Sequence, residues 1–131
     1  MLHLALKEAA NSTVRTRHGA VVCKGGRVFG KGFNTYKSSP TWGFPKIHSK
    51  YGNPFYTIHA EAAAIRDAVR RGIDLKGSTI FVAREGHNQM SKPCPDCQGM
   101  IESHGIRKIV YTDENGNPIT EWPPLVVINW H

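Results

Sequence analysis

Two short clusters in this chain carry the residue types that hold metals and move protons. One is His59-Ala60-Glu61; the other is Cys94-Pro95-Asp96-Cys97, preceded by Pro93. A Cys-x-x-Cys at a helix start aims both sulfurs at one spot, and the free backbone N–H groups there favour thiolate. A histidine from a neighbouring helix completes a set of three ligands, and mixed nitrogen and sulfur donors suit zinc. Three protein ligands leave a fourth tetrahedral position for water, the feature that separates a catalytic site from a structural one. The charge of the metal lowers the pKa of that water towards neutrality. Glu61 lies two residues past the histidine. On a regular helix it points roughly 200° away from His59, a rotation that need not hold at the first turn. Taken singly, each cluster is weak. A Cys-x-x-Cys is as often a redox pair or half of a structural zinc site, and a His-x-Glu is found on the surface of many helices.

The elements that must position these residues follow from apolar patterning and turn residues. Residues 3–11 predict a helix, with Leu2, Leu4, Leu6, Ala9 and Ala10 supplying apolar surface. Residues 19–23 and 27–33 predict two strands around Lys24-Gly25-Gly26, a glycine-containing hairpin turn. Residues 34–57, rich in Pro, Gly, Ser, Asn and aromatic residues, predict a long irregular loop. Residues 59–71 are alanine-rich and stop at Gly72, which predicts a helix. Residues 78–83 predict a buried strand, 94–104 a helix with Pro95 in its first turn, and 107–112 another strand. Asp113 to Asn117 predicts a turn, and Leu125 to Ile128 a last strand. Strands that alternate with helices imply an α/β sheet covered by helices, here in a single domain spanning residues 1–131.

Composition narrows the class. No apolar run approaches the roughly 20 residues of a membrane-spanning helix, and the first residues lack the layout of a signal peptide. A cytoplasmic location is therefore expected. Three cysteines are an odd count, so metal ligation or burial is expected before a disulfide framework. The net charge is +7, with +8 concentrated in residues 1–58. Such a field attracts phosphate, on a mononucleotide or a nucleic acid, and equally serves as a solubilising surface.

In combination the two clusters say more than they do apart. HAEAAAI and SKPCPDC, at residues 59–65 and 91–97, resemble the two zinc motifs of the cytidine and deoxycytidylate deaminase superfamily. The resemblance runs from the hairpin to about Thr112. It implies a three-layer α-β-α fold, with a mixed sheet of about five strands and helices on both faces. It implies that His59, Cys94 and Cys97 hold Zn2+ and that Glu61 is the catalytic general acid/base. In that role Glu61 takes a proton from water, protonates the ring nitrogen and delivers a proton to the departing amine. The N–H of Ala60 is the implied partner of a base oxygen. Gly32-Phe33-Asn34 resembles the Gly-x-Asn element of deoxycytidylate and transfer-RNA deaminases, which implies that Asn34 touches the substrate sugar. The alternative is an asparagine that only makes a turn after a strand.

Other residues have plainer readings. Cys23 is expected to be a buried strand residue and His104 to cap the Cys-x-x-Cys helix. His18, His48, His87 and His104 are further possible ligands by residue type alone. Arg84 and Lys92 flank the segment before Cys94, and either could reach a substrate phosphate. Lys46, His48 and Lys50 form a basic loop cluster, and Trp42, Phe44, Tyr51, Phe55 and Tyr56 either stack on a base or pin the loop.

Two departures from the family pattern bear on the substrate. AREGHNQMSKPC is longer than the usual Thr-x-x-Pro-Cys approach. Only 19 residues follow Thr112, too few for a further long helix and a parallel strand. An antiparallel last strand is expected instead. The reading is thus a zinc-dependent hydrolytic deaminase of a cytosine-type base, acting on a free nucleotide such as dCMP and, by resemblance, a homo-oligomer. The alternatives are deamination within transfer RNA or single-stranded DNA, deamination of guanine or a riboflavin-pathway pyrimidine, or zinc that only joins two helices.

Overall fold

The structure is a computed structural model that describes residues 1–36 and 57–123. Helix α1 (Leu2–Ala9) leads into strands β1 (His18–Lys24) and β2 (Arg27–Phe33). Short strands β3 (Thr35–Tyr36) and β4 (Thr57–Ile58) precede helix α2 (Ala60–Arg70). Strand β5 (Thr79–Arg84), helix α3 (Pro95–Ser103), strand β6 (Lys108–Thr112) and strand β7 (Pro118–Glu121) complete the described chain. Five strands form one sheet in the order β2-β1-β5-β6-β7. Only the β5–β6 pair is parallel, joined by a crossover that contains α3. The other pairs are antiparallel, so the sheet is mixed, as expected.

The hairpin forms where the turn residues allow it. Lys24 pairs with Arg27, and the two residues between them, Gly25 and Gly26, have φ of 59° and 80°. That pair of left-handed residues is what a two-residue turn between twisted strands requires. Alternation along β1 then sends side chains to both faces. Val21 and Cys23 pack with Ala5 of α1 and Ala83 of β5 on one face. Ala20 and Val22 join Ile80, Val82, Ala64, Ala68 and Ile101 on the other, beneath α2 and α3. Helices therefore cover both faces, and the three-layer arrangement is present.

Helix α2 lies unusually close to β2. A Cβ on Gly30 would strike the backbone of Ala64, and one on Gly32 would strike Ala63 and Ala64. Glycine in the strand and alanine in the helix let the two backbones approach, and this sets where the head of α2 sits.

Several expectations need correction. The stretch 34–57 is not irregular throughout, because Thr35 pairs with Ile58 and Tyr36 with Thr57. An antiparallel strand does follow β6, but it is β7 at Pro118–Glu121; Leu125 to Ile128 lie outside the described residues. Thr120 and Glu121 continue the Pro118-Ile119 run directly from the turn, where the carboxylate of Asp113 accepts the N–H groups of Asn115 and Asn117. Lys46, His48, Lys50 and the five loop aromatics also lie outside the described residues. No described helix is long and apolar enough to cross a membrane.

Candidate metal and active site

His59 and Cys94 are not inside their helices. Each is the N-cap residue, with extended backbone angles of φ −71°, ψ 152° and φ −70°, ψ 165°. Neither side chain caps its own helix, so both are free to turn towards the gap between α2 and α3. The helical rotation that would separate His59 from Glu61 therefore does not apply. His59 sits before the first turn, and Glu61 is buried within it, 6% exposed.

The three donors converge. His59 Nδ1 lies 3.1 Å from Cys97 Sγ and 3.6 Å from Cys94 Sγ. All three ligand atoms fall within 4.8 Å of one another. The two nitrogen–sulfur separations lie within about 0.5 Å of the roughly 3.6 Å edge expected for tetrahedral zinc with nitrogen and sulfur ligands. Electrostatics agrees with the distances. Burial pushes the Cys97 thiol above its ordinary range, and Glu61, Cys94 and Asp96 add to the effect. Burial likewise raises Glu61, opposed by His59 and Cys97. Several acidic groups thus crowd one spot at mutual cost, which a divalent cation relieves. The donor set fits zinc.

A cavity of about 310 Å³ opens on this cluster. The head of α2 contributes His59, Ala60 and Glu61, and the approach to α3 contributes Lys92 and Cys94. The first intrahelical bond of α2 runs from Ala63 N–H to His59 C=O. The N–H of Ala60 belongs to the first-turn amides that have no acceptor within the helix, and Ala60 itself is fully buried against the cavity.

Asn34 follows β2 and also lines the cavity, 7% exposed. Its side chain is already engaged. Oδ1 accepts the N–H of His18 at 2.9 Å, and Nδ2 donates to the carbonyl of Thr16 at 2.6 Å. The second N–H and the second lone pair of the amide remain for a ligand. The reading of Asn34 as a mere turn residue does not describe this: it joins β2 to the segment before β1.

That segment is where sequence reasoning was blind. Val14, Thr16 and His18 line the cavity, and of these the sequence singles out only His18, as one of four histidines. His18 is not among the clustered ligand atoms. Burial and the neighbouring Arg84 guanidinium hold its imidazole down at about 4, so it is neutral at pH 7. Its register opposite Arg84 puts it on the α2 face of the sheet. Nothing in the local sequence pattern marks Val14 or Thr16.

The remaining expectations separate cleanly. Cys23 is buried, on the face of the sheet that packs against α1, away from α2 and α3. His104 is the C-cap of α3, its Nδ1 2.9 Å from the carbonyl of Met100. Lys92 lines the cavity, whereas Arg84 lines a smaller hollow beside α1. His87 lies outside the metal cluster, and His48 is outside the described residues.

Comparison with known proteins agrees with this geometry. The model of the cytidine and deoxycytidylate deaminase zinc-binding region matches residues 1–113. Deoxycytidylate deaminase of Mycobacterium phage D29 is 32% identical over 113 residues, 77% of this chain and 81% of that protein. Deoxycytidylate deaminase of Enterobacteria phage T2 is 41% identical over 69 residues, 53% of this chain. That match spans only 33% of the phage T2 enzyme. Among solved structures, dCMP deaminase from the cyanophage S-TIM5 in complex with dCMP and dUMP superposes with a TM-score of 0.58 at 28% identity. The superposition covers 82% of this chain and 74% of that one.

Proposed function

The chain belongs to the cytidine and deoxycytidylate deaminase zinc-binding family, and from that premise we propose that it hydrolyses the exocyclic amine of a cytosine-type base on a free nucleotide such as dCMP. The observation that carries this reading is the buried carboxylate of Glu61 in the cavity lined by His59 and Cys94, two of the three converging zinc donors. A purely structural zinc site has no use for such an acid beside it. The nucleotide substrate draws support from the dCMP and dUMP held by the cyanophage relative and from the deoxycytidylate deaminases among the matches. The basic first half of the chain suits a phosphate-bearing substrate.

His59, Cys94 and Cys97 would hold zinc, which when bound supplies an acidified water and Lewis-acid polarisation. The chain's own groups do the rest. Glu61 accepts a proton from the attacking water and passes one to the ring nitrogen, and a later proton to the amine lets it leave as ammonia. Its raised pKa suits this traffic, because a carboxyl that both takes and gives protons works best nearer neutrality than a free carboxylate. Ala60 presents its first-turn N–H to the base oxygen. Asn34 uses its unspent amide capacity on the sugar while holding the Thr16–His18 segment in place. The proposal extends to a single domain that works as a homo-oligomer in the cytoplasm, where three free cysteines suit a reducing environment.

The test is ammonia release from dCMP, deoxycytidine and a cytosine-containing oligonucleotide by zinc-loaded protein, with Glu61→Gln beside it. Turnover of dCMP well above the others, lost in the variant, is the expected result. Turnover of the oligonucleotide alone would replace the substrate, and no turnover of any of them would refute the reading.

A further inference from the structure

The proposed reaction needs a base, a sugar and a reactive centre, but it leaves open what in this chain reads an anionic group on the ligand. Around the cavity, Glu61 contributes a carboxyl and Cys94 a thiol, and His18 is neutral at pH 7. Among the described residues lining it, Lys92 is the one lysine or arginine. Arg84, the other cation that the sequence offered for a phosphate, lies across the β1–β5 pair from His18 and is not among the residues lining the cavity, and its Nε is buried without a hydrogen-bond partner among the described residues.

Lys92 is also anchored. Its Nζ lies 3.5 Å from Glu121 Oε2 on β7. The same carboxylate oxygen accepts the hydroxyl of Tyr111 on β6 at 2.7 Å. Tyr111 is itself buried, 4% exposed, so its hydroxyl is a fixed point from which Glu121 is held. The lysine therefore approaches the cavity from the edge of the sheet, two residues before a metal ligand. An ammonium has three donors, so it can keep Glu121 and still meet a second anion.

We propose that Lys92 is the specificity-determining residue that recognises the 5′-phosphate of the ligand, held at the cavity wall by Glu121 and Tyr111. The proposal rests on the reading of this cavity as a nucleotide site. It reaches beyond that reading by assigning phosphate selection to a residue in the lengthened approach to Cys94, where the sequence departs from the family pattern.

The test is calorimetric binding of dUMP and deoxyuridine to the zinc-loaded protein, to Lys92→Met and to Lys92→Arg. Methionine keeps the length of the stem without its charge. Wild type is expected to bind dUMP more tightly than deoxyuridine. Lys92→Met is expected to lose about 10- to 100-fold of dUMP affinity, the worth of one charged hydrogen bond, with deoxyuridine unchanged. Lys92→Arg should restore most of the difference. Equal binding of the two ligands by wild type, binding of neither, or a loss shared by both in Lys92→Met overturns the assignment. The two proposals fail differently. Lys92-dependent preference for dUMP without turnover of dCMP sinks the deaminase reading and leaves the phosphate contact. Turnover of dCMP without that dependence does the reverse.

Discussion

Removal of the Asn34 carboxamide is the perturbation whose cost the structure specifies most directly. In Asn34→Ala the N–H of His18 loses an acceptor at 2.9 Å, and the carbonyl of Thr16 loses a donor at 2.6 Å. Both groups sit in a partly buried place, where an orphaned polar group costs about 1–2 kcal/mol. The sum is roughly 2–4 kcal/mol of stability from the same principle. The backbone of residue 34 remains held, because its N–H reaches His18 C=O and Ser12 Oγ donates to its carbonyl. The damage should therefore concentrate on residues 14–18, which form one wall of the cavity. Urea unfolding of the zinc-loaded protein measures the first effect, and the KM of the substrate measures the second. A lower midpoint together with a raised KM is expected. An Asn34→Ala protein within about 0.5 kcal/mol of wild type, the range of an ordinary surface substitution, would refute the staple argument. A pure KM effect without lost stability would return Asn34 to the simpler role of a sugar contact.

Three further outcomes are expected. Cys97→Ala should abolish stoichiometric zinc in atomic emission, while Cys23→Ala, on the opposite face of the sheet, should retain it; zinc loss in Cys23→Ala would contradict the assignment of ligands. Gly32→Val should cost about 2–3 kcal/mol in urea unfolding and lower zinc retention, because the new side chain pushes against Ala63 and Ala64 at the head of α2; an unchanged midpoint would mean that helix and strand are not in direct contact. His18 binds its proton less well folded, at about 4, than unfolded, at the usual 6.5. The unfolded chain then takes up the proton first, so stability should fall as pH drops from about 6.5 towards 4, by at most roughly 3 kcal/mol from this one group. His18→Gln should flatten that part of the pH dependence, and an unaltered slope would show that the imidazole is not buried as described.

The chemistry was legible in the sequence because it is local. His-x-Glu and Pro-Cys-x-x-Cys each lie within a few residues, and the turn and cap signals around them set where α2 and α3 begin. The hairpin was equally legible, because Gly25-Gly26 between apolar strands admits few other conformations. An alanine-rich run ending at a glycine was enough for α2. The sequence alone did not decide how Glu61 shares a site with His59. That depends on His59 being an N-cap residue with extended backbone, and on the close approach of α2 to β2 that Gly30 and Gly32 permit. Nor could it separate Lys92 from Arg84, two cations flanking one segment. The partners that distinguish them, Glu121 and Tyr111 for one and His18 across the β1–β5 pair for the other, are distant in the chain and meet only in the folded sheet. Ligand identity is written in short spacings, because metal ligands need fixed local geometry. The rest of the cavity is assembled from the ends of β1, β2 and the helices. Only tertiary packing decides which of those ends share a wall.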